Sequence, residues 1–319
     1  MRHYLIPVAL MFCAASPVMG QSAYPARPIT MVVPFPAGGA LDIVARNLAK
    51  EMTPLLGQAV VVENRAGAAG TIGSAAVAKA PADGYTLLFG SLATHALGPA
   101  LYPKIQYDAL KDFAPITQVT SAPLVFASSA TLPVNSVSQL IALAKGKPGT
   151  LNYASTGVGT ADHLAGTLFA ATTGISVVHV PYKGGGEAKT ALITGESAYS
   201  ITNVQLALPQ IKDGKLKALA VTGSRRVAAL PDAPTMQEAG APGVEVTTWF
   251  GVFAPANTPA EVVNRLNRDT VAAIKILREK LLAQGDEPVG STPAQFAEFV
   301  KLEHTKWGKV VRDANIKLE

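Results

Sequence analysis

The sequence predicts an α/β protein folded as two lobes on parallel, helix-covered sheets. Three observations carry that prediction. Strand-like and helix-like segments alternate, joined by short glycine turns, and the alternation starts afresh near residue 123 to give two series of similar size. A long β-forming run, "VEVTTWFGVFAPANTP", then precedes two amphipathic helices. Alternation at this spacing means βαβ crossovers, and so parallel strands with helices packed on them.

The elements follow in order. "PITMVVPF" is apolar and β-branched, ends at Pro34 and Pro36, and reads as a buried strand. "GGALDIVARNLAKEMTPLLG" places Ile43, Val44, Leu48 and Met52 on one helical face, with Gly57 as its stop. "QAVVVENRAGAAGTIGSAAVAKAPADGYTLLFGS" repeats the order of strand, glycine turn, Ala-rich helix, Pro-Asp-Gly turn and strand. The second series gives a strand at Leu124–Phe126, a helix at Ser138–Ala144, a strand at Leu151–Ser155 and a helix at His163–Ala171. "VVHVPYKGGGEAKTALITG" adds another strand–turn–helix unit, and "LKALAVTG" another strand. "RRVAALPDAPTMQEAGAPG" is a Pro/Ala-rich loop, and the final helices span Ala260–Gln284 and Pro293–Asp313. The chain would leave the first lobe near Ser121–Leu124 and return near Thr247–Phe253, so that two crossing strands form a hinge. The expected lobes are residues 24–122 with 248–319, and residues 123–247.

The totals agree. A chain of 319 residues with 49% hydrophobic and 15% charged side chains has ample material for full cores. Its net charge of +5 is spread out, without a basic cluster interleaved with aromatics, and excludes a nucleic-acid footprint. "MRHYLIPVALMFCAASPVMG" has an early Arg2, an apolar run from Leu5 and a cleavage pattern ending at Gly20. This is the layout of a secretory signal, too short for a stable membrane span. The only cysteine, Cys13, lies inside it behind a bulky Phe12, so the exported chain would carry no disulfide, thiolate nucleophile or Cys-bound metal.

Two turns have the chemistry of an anion site. In "PFPAGGALD" the glycines Gly38 and Gly39 allow close backbone approach, and the helix that follows presents unpaired N–H groups. "NYASTGVGTADHL" offers hydroxyls at Ser155, Thr156 and Thr160, bare backbone at Gly157 and Gly159, and again a helix. The first turn is equally readable as a tight connection with Asp42 as an early-helix carboxylate. The second lacks the third glycine of the dinucleotide fingerprint and the lysine of a P-loop, which argues against nucleotides. In "VPYKGGGEAKTAL", Tyr182 and Lys183 either meet an anion or face solvent on a flexible turn; both readings stay open.

Catalysis has little support. Ser155, Asp162 and His163 suggest a triad, but the last two are adjacent and no G-x-S-x-G elbow is present. The histidines have no metal-ligand spacing, and His179 in an apolar strand reads as structural. An exported hydrolase using Ser155 and His163 is the main rival.

"YPARPITMVVPFPAGGALDIVARNLA", "VVENRAGAAGTIGSAAVAKAPADGYTLLFG", "YDALKDFAPIT", "NYASTGVGTADHLAG", "HVPYKGGG", "LPDAPTMQEAG" and "WFGVFAPANTP" together closely resemble the Bug, or TctC-type, family. These are periplasmic solute-binding proteins of tripartite tricarboxylate transporters. The likeness runs in the family's order from about Tyr24 to the C-terminus. It implies a type II periplasmic binding protein (Venus flytrap) fold, periplasmic location, no cofactor or metal, and no enzyme activity. It also implies a monomer that meets a small organic carboxylate and, transiently, permease subunits or a sensor kinase. Carried over by position, the first-lobe loop is Phe35, Pro36, Ala37, Gly38, Gly39 and Asp42. The second-lobe loop is Ser155, Thr156, Gly157, Val158, Gly159 and Thr160, with His163 behind. Ser91, Thr94, His95, Tyr182, Lys183 and Asn203 complete the wall. The chain departs from the family's "A-L-x-D-L-x-G-G" run, where Thr190 or Thr194 stands near the expected acid, and from a strand-ending Asp, where it has Asn203.

Overall fold

The computed structural model describes residues 24–102 and 104–313; the expected signal, with Cys13 and the cut after Gly20, lies outside them. The chain runs β1 (Ile29–Val33), α1 (Ala40–Leu56), β2 (Val60–Asn64), α2 (Thr71–Ala78), β3 (Thr86–Ser91) and α3 (Gly98–Leu101). It continues through β4 (Phe113–Ser129), α4 (Val137–Gly146), β5 (Asn152–Ser155), α5 (Ala161–Thr173), β6 (Val178–Pro181) and α6 (Gly185–Thr194). β7 (Tyr199–Asn203), α7 (Val204–Lys212), β8 (Leu216–Val221), β9 (Thr247–Pro255), α8 (Ala260–Ala283), β10 (Glu287–Pro288) and α9 (Pro293–Asp313) complete it.

The strands lie in the order β2-β1-β3-β9-β4-β7-β5-β6, with β8 and β10 also pairing β4. β1 pairs β2 and β3 in parallel, and β5 pairs β6 and β7 in parallel. These are the two crossover series expected from the alternation. β9 and β4 enter antiparallel between them. β4 is one strand of 17 residues that serves both halves of the sheet. From Phe113 to Pro123 it pairs β9, and from Leu124 onward it pairs β7 and β8. Its prolines are tolerated for identifiable reasons: the register with β9 shifts just after Pro115, and Pro123 is the last residue of that ladder. At the change-over Thr222 Oγ1 accepts from the Leu124 amide (2.9 Å) and donates to the Val246 carbonyl (2.5 Å), tying the two crossing strands together.

α1 covers the first half with Val44, Leu48 and Met52, all fully buried as the helical periodicity predicts; Ile43 is only partly covered. Gly57 ends it in the left-handed conformation (φ 71°), its amide bonded to the Thr53 carbonyl. The core around Phe126, Tyr153, Phe169 and Tyr199 fills the second half. Among the described residues, no helix is long and apolar enough to cross a membrane and no group of His, Cys, Asp or Glu could hold a metal ion.

Candidate functional site

Parallel strands deliver the chain to the same edge of a sheet, and each following helix begins there. In this protein the starts of α1, α5, α6 and α7 meet around one cleft, which encloses about 580 Å³ of space, its open mouth included. Gly39 and Ala40 belong to the start of α1, Thr160 to Asp162 to α5, Gly184 and Gly185 to α6, and Asn203 to α7. None of the four N-cap residues, Gly39, Thr160, Gly184 and Asn203, caps its helix with a side-chain hydrogen bond. The first amides of each helix have no carbonyl within the helix to bond, and each terminus carries about half a positive charge. Phe35, Pro36, Leu41, Ala93, Leu206 and Phe250 give the cleft apolar walls, while Ser91, Thr156 and Thr248 add hydroxyls. Among the described residues, no Lys, Arg or His lines it.

Two wall residues have polar atoms with no partner among the described residues. Ser91 Oγ and Asn203 Oδ1 are buried without a hydrogen bond. A buried polar atom left so costs free energy that a bound molecule or water recovers.

The residues expected at the site divide into four groups. Phe35, Pro36, Gly39, Ser91, Thr156, Thr160 and Asn203 line the cleft. Gly157, Val158, Tyr182 and Lys183 line an adjoining depression that shares Phe35, Pro36 and Thr156 with it. Tyr182 turns its hydroxyl to Glu196 (3.0 Å) rather than toward the cleft. Ala37 and Gly38 are exposed at the rim.

Asp42, Thr94, His95, Ser155, Gly159 and His163 stand behind the wall. The Asp42 carboxylate accepts from the Gly38 amide (2.9 Å), Arg46 Nε (3.0 Å) and Asn64 Nδ2 (2.9 Å), while Asn64 Nδ2 also reaches the Phe35 carbonyl (3.0 Å). Burial pushes this carboxyl's pKa up, but the bonds from Arg46, Gly38 and Asn64 outweigh it and hold the pKa below its ordinary value. Asp42 thus fixes the shape of the first loop from within. Thr94 Oγ1 bonds the backbone of Ser91 and sits 2.8 Å from His95 Nδ1. His95 is fully buried and stacked on Phe253, with ring centroids 3.9 Å apart.

Ser155 and His163 do not form the dyad that a hydrolase would need. Ser155 Oγ is buried and lies 2.7 Å from His179 Nε2, while His163 Nδ1 accepts from the Gly159 amide (3.2 Å). Thr190 and Thr194 are exposed on α6, their hydroxyls bonded back to helix carbonyls, so the departures there sit on a solvent face.

Sequence reasoning reached the starts of α1 and α5 as helix-preceding turns, and those of α6 and α7 only through Tyr182, Lys183 and Asn203, without placing Gly184 and Gly185 on the wall. "YKGGG" was the available signal: a Cβ on Gly185 would lie 2.6 Å from Leu206 Cδ1, and one on Gly184 3.2 Å from Pro36 Cγ. These glycines let α6 close against both α7 and the first loop. Thr248 and Phe250, expected in a hinge strand, also face the cleft.

The profile of the "Tripartite tricarboxylate transporter family receptor" (TctC) matches residues 44–316. The chain is 42% identical over 308 residues to protein BugT of Bordetella pertussis, covering 96% of this chain and 94% of that one. Among solved structures it is similar to the periplasmic binding protein BugD (TM-score 0.88, 36% identity, covering 93% and 100% of the two chains). It is also similar to an R. palustris protein solved with adipate (TM-score 0.89, 37% identity, covering 92% and 99%). MatC from Rhodopseudomonas palustris, with bound malate, superposes with a TM-score of 0.85 at 35% identity, covering 90% and 100%. The expected bilobal binding-protein fold is therefore the observed one, and the chain belongs to the TctC, or Bug, family of tripartite tricarboxylate transporter receptors.

Proposed function

We propose that the protein captures a small organic carboxylate reversibly in this cleft, in the periplasm, and delivers it to a tripartite tricarboxylate-type permease. One observation carries the reading: four helix starts, none capped by its N-cap side chain, converge on a cleft lined by hydroxyls, apolar side chains and the Asp162 carboxylate, with no cationic side chain among the described residues. Such a site suits an anion that must leave again, because backbone amides hold it without a fixed counter-charge. Each terminus contributes about 0.3–1 kcal/mol at an exposed site, so the four give about 1–4 kcal/mol. A micromolar ligand needs about 8 kcal/mol, so hydroxyl bonds and apolar contact supply the remainder. The adipate and malate held by the two R. palustris relatives are of this class.

The lobes of the proposal are residues 24–122 with 248–319, and residues 123–247. The partner change of β4 at Pro123–Leu124 and the start of β9 at Thr247 support that division. The cleft wall draws on both parts, so a ligand that touches both favours their closed arrangement. The Gln205 Nε2 to Ala40 carbonyl bond (3.2 Å) and the Tyr102 hydroxyl to Val158 carbonyl bond (3.0 Å) already join the two sides. No chemistry on the bound molecule is part of the proposal.

The test is a thermal-shift screen of refolded protein against mono-, di- and tricarboxylates, amino acids and neutral controls. A ligand at 100 times its Kd stabilises by about 2.7 kcal/mol, a clear rise in midpoint. A response to neutral compounds and to no carboxylate would overturn the reading.

A further inference from the structure

Resting on the carboxylate reading and on the proposed lobes, we infer that the Tyr102 hydroxyl is a latch across the mouth of the cleft, which sets how long a bound acid stays. Tyr102 follows α3 in the first lobe, and its hydroxyl donates to the Val158 carbonyl of the second lobe (3.0 Å). Val158 lies in the turn whose Thr156 and Thr160 line the cleft. The bond therefore grips, from the adjoining depression, the same loop that meets the ligand from the cleft. Tyr102 is in this sense a positioning residue.

The ring is seated as well as bonded. A Cβ on Gly159 would lie 3.0 Å from Tyr102 Cε2 and 3.4 Å from Ala69 Cβ, so bare backbone lets the loop settle against both. Ala69 is held there at a cost, because it and Ala68 have φ of 49° and 45°, a left-handed conformation that alanine rarely adopts. Two bonds close that turn: the Gly70 amide to the Gly67 carbonyl (2.9 Å) and the Thr71 hydroxyl to the Ala68 carbonyl (2.9 Å). Strain of this kind persists only where the surroundings over-determine it, and it clusters at ligand clamps. On its other side the turn meets the ligand wall, since a Cβ on Gly70 would lie 3.0 Å from Phe35 Cε2. Contacts thus run from the cleft wall through the strained turn to the second-lobe loop.

The place of the latch decides which rate it controls. The depression beside it is exposed at Ala66, Ala68 and Lys183. An acid enters while the lobes stand apart and the Tyr102 bond is not yet made. It leaves only after that bond has broken. Losing the hydroxyl therefore speeds release and leaves capture unchanged.

Stopped-flow binding of refolded wild type, Tyr102→Phe and Tyr102→Ala separates the two rates, with adipate, malate and the strongest carboxylate of the thermal-shift screen as probes. Phe keeps the ring on its seat and lacks only the hydroxyl. It is expected to raise the dissociation rate about 2–10-fold, the loss of one hydrogen bond, with the association rate unchanged. Ala gives up the seat too and is expected to release faster still; the melting midpoint of each variant reports that it is folded. A folded Tyr102→Phe protein with the wild-type dissociation rate overturns the inference, whatever Ala does, and so does a change confined to association. Either result leaves the carboxylate reading standing. If no carboxylate binds the wild type, the carboxylate reading itself falls, and the inference with it.

Discussion

Replacing His95 with Asn is expected to flatten the acid side of the stability curve. His95 is fully buried, stacked on Phe253, and lies 2.8 Å from Thr94 Oγ1 through Nδ1. Burial first, and then the nearby His304, lower its pKa to about 3. In the unfolded chain the ring titrates near the ordinary value of about 6.5. Above that pH both states hold a neutral ring, and the residue adds no pH dependence. As the pH falls the unfolded chain takes up a proton that the folded protein refuses, so stability is lost from about pH 6.5 down to about pH 3. At pH 5 the loss is about 2 kcal/mol, from 1.36 kcal/mol for each of about 1.5 pH units. Asn keeps a polar group against Thr94 and has no proton to accept. Urea unfolding of both proteins at neutral pH and near pH 5 measures the difference, and other titrating groups cancel in the comparison. The wild type is expected to lose about 2 kcal/mol more than the variant. Equal losses would refute the account of His95 as a neutral core ring.

Three further outcomes are expected. Gln205→Met removes the bond to the Ala40 carbonyl, worth about 0.5–1.5 kcal/mol, and should weaken carboxylate binding about 2–10-fold; an unchanged Kd by calorimetry would deny the bond a part in closure. Asp42→Asn replaces charge-assisted bonds to Gly38, Arg46 and Asn64 and should cost about 1.5–3 kcal/mol in urea unfolding, together with lower ligand affinity as the first loop loosens. Gly251→Ala places a Cβ 2.1 Å from Phe296 Cζ and 3.0 Å from the Thr117 carbonyl, where overpacking should cost about 1–3 kcal/mol, read as a fall in the unfolding midpoint.

The order of elements was legible because each crossover leaves its own periodicity, and the helix read from Pro293 starts there in the structure and runs to Asp313, the last described residue. β4 was read only at Leu124–Phe126, because Pro115 and Pro123 interrupt the pattern of a central strand; a register shift and a change of partner absorb them. At the site, the glycine turns before α1 and α5 were visible as local chemistry. The turn before α6 was visible but left with two readings, and the contributions of its glycines, of α7 and of the Thr248–Phe250 stretch depend on which distant segments the sheet order brings together. His95 is the reverse case. The family resemblance put it in the wall, yet the turn at Ala93–Leu97 directs its ring onto Phe253 and into the core.

The double duty of β4 bears on how the chain matures. Its first eleven residues wait for a partner strand that begins at Thr247, so the first half cannot complete its sheet until most of the polypeptide is available. Pairings this far apart in sequence are slow to form, because the intervening loop must close before any bond rewards it. A fragment ending before β9 would expose one edge of β4 and be prone to aggregation. The shared strand also argues against expressing either half of the sheet alone as a working module.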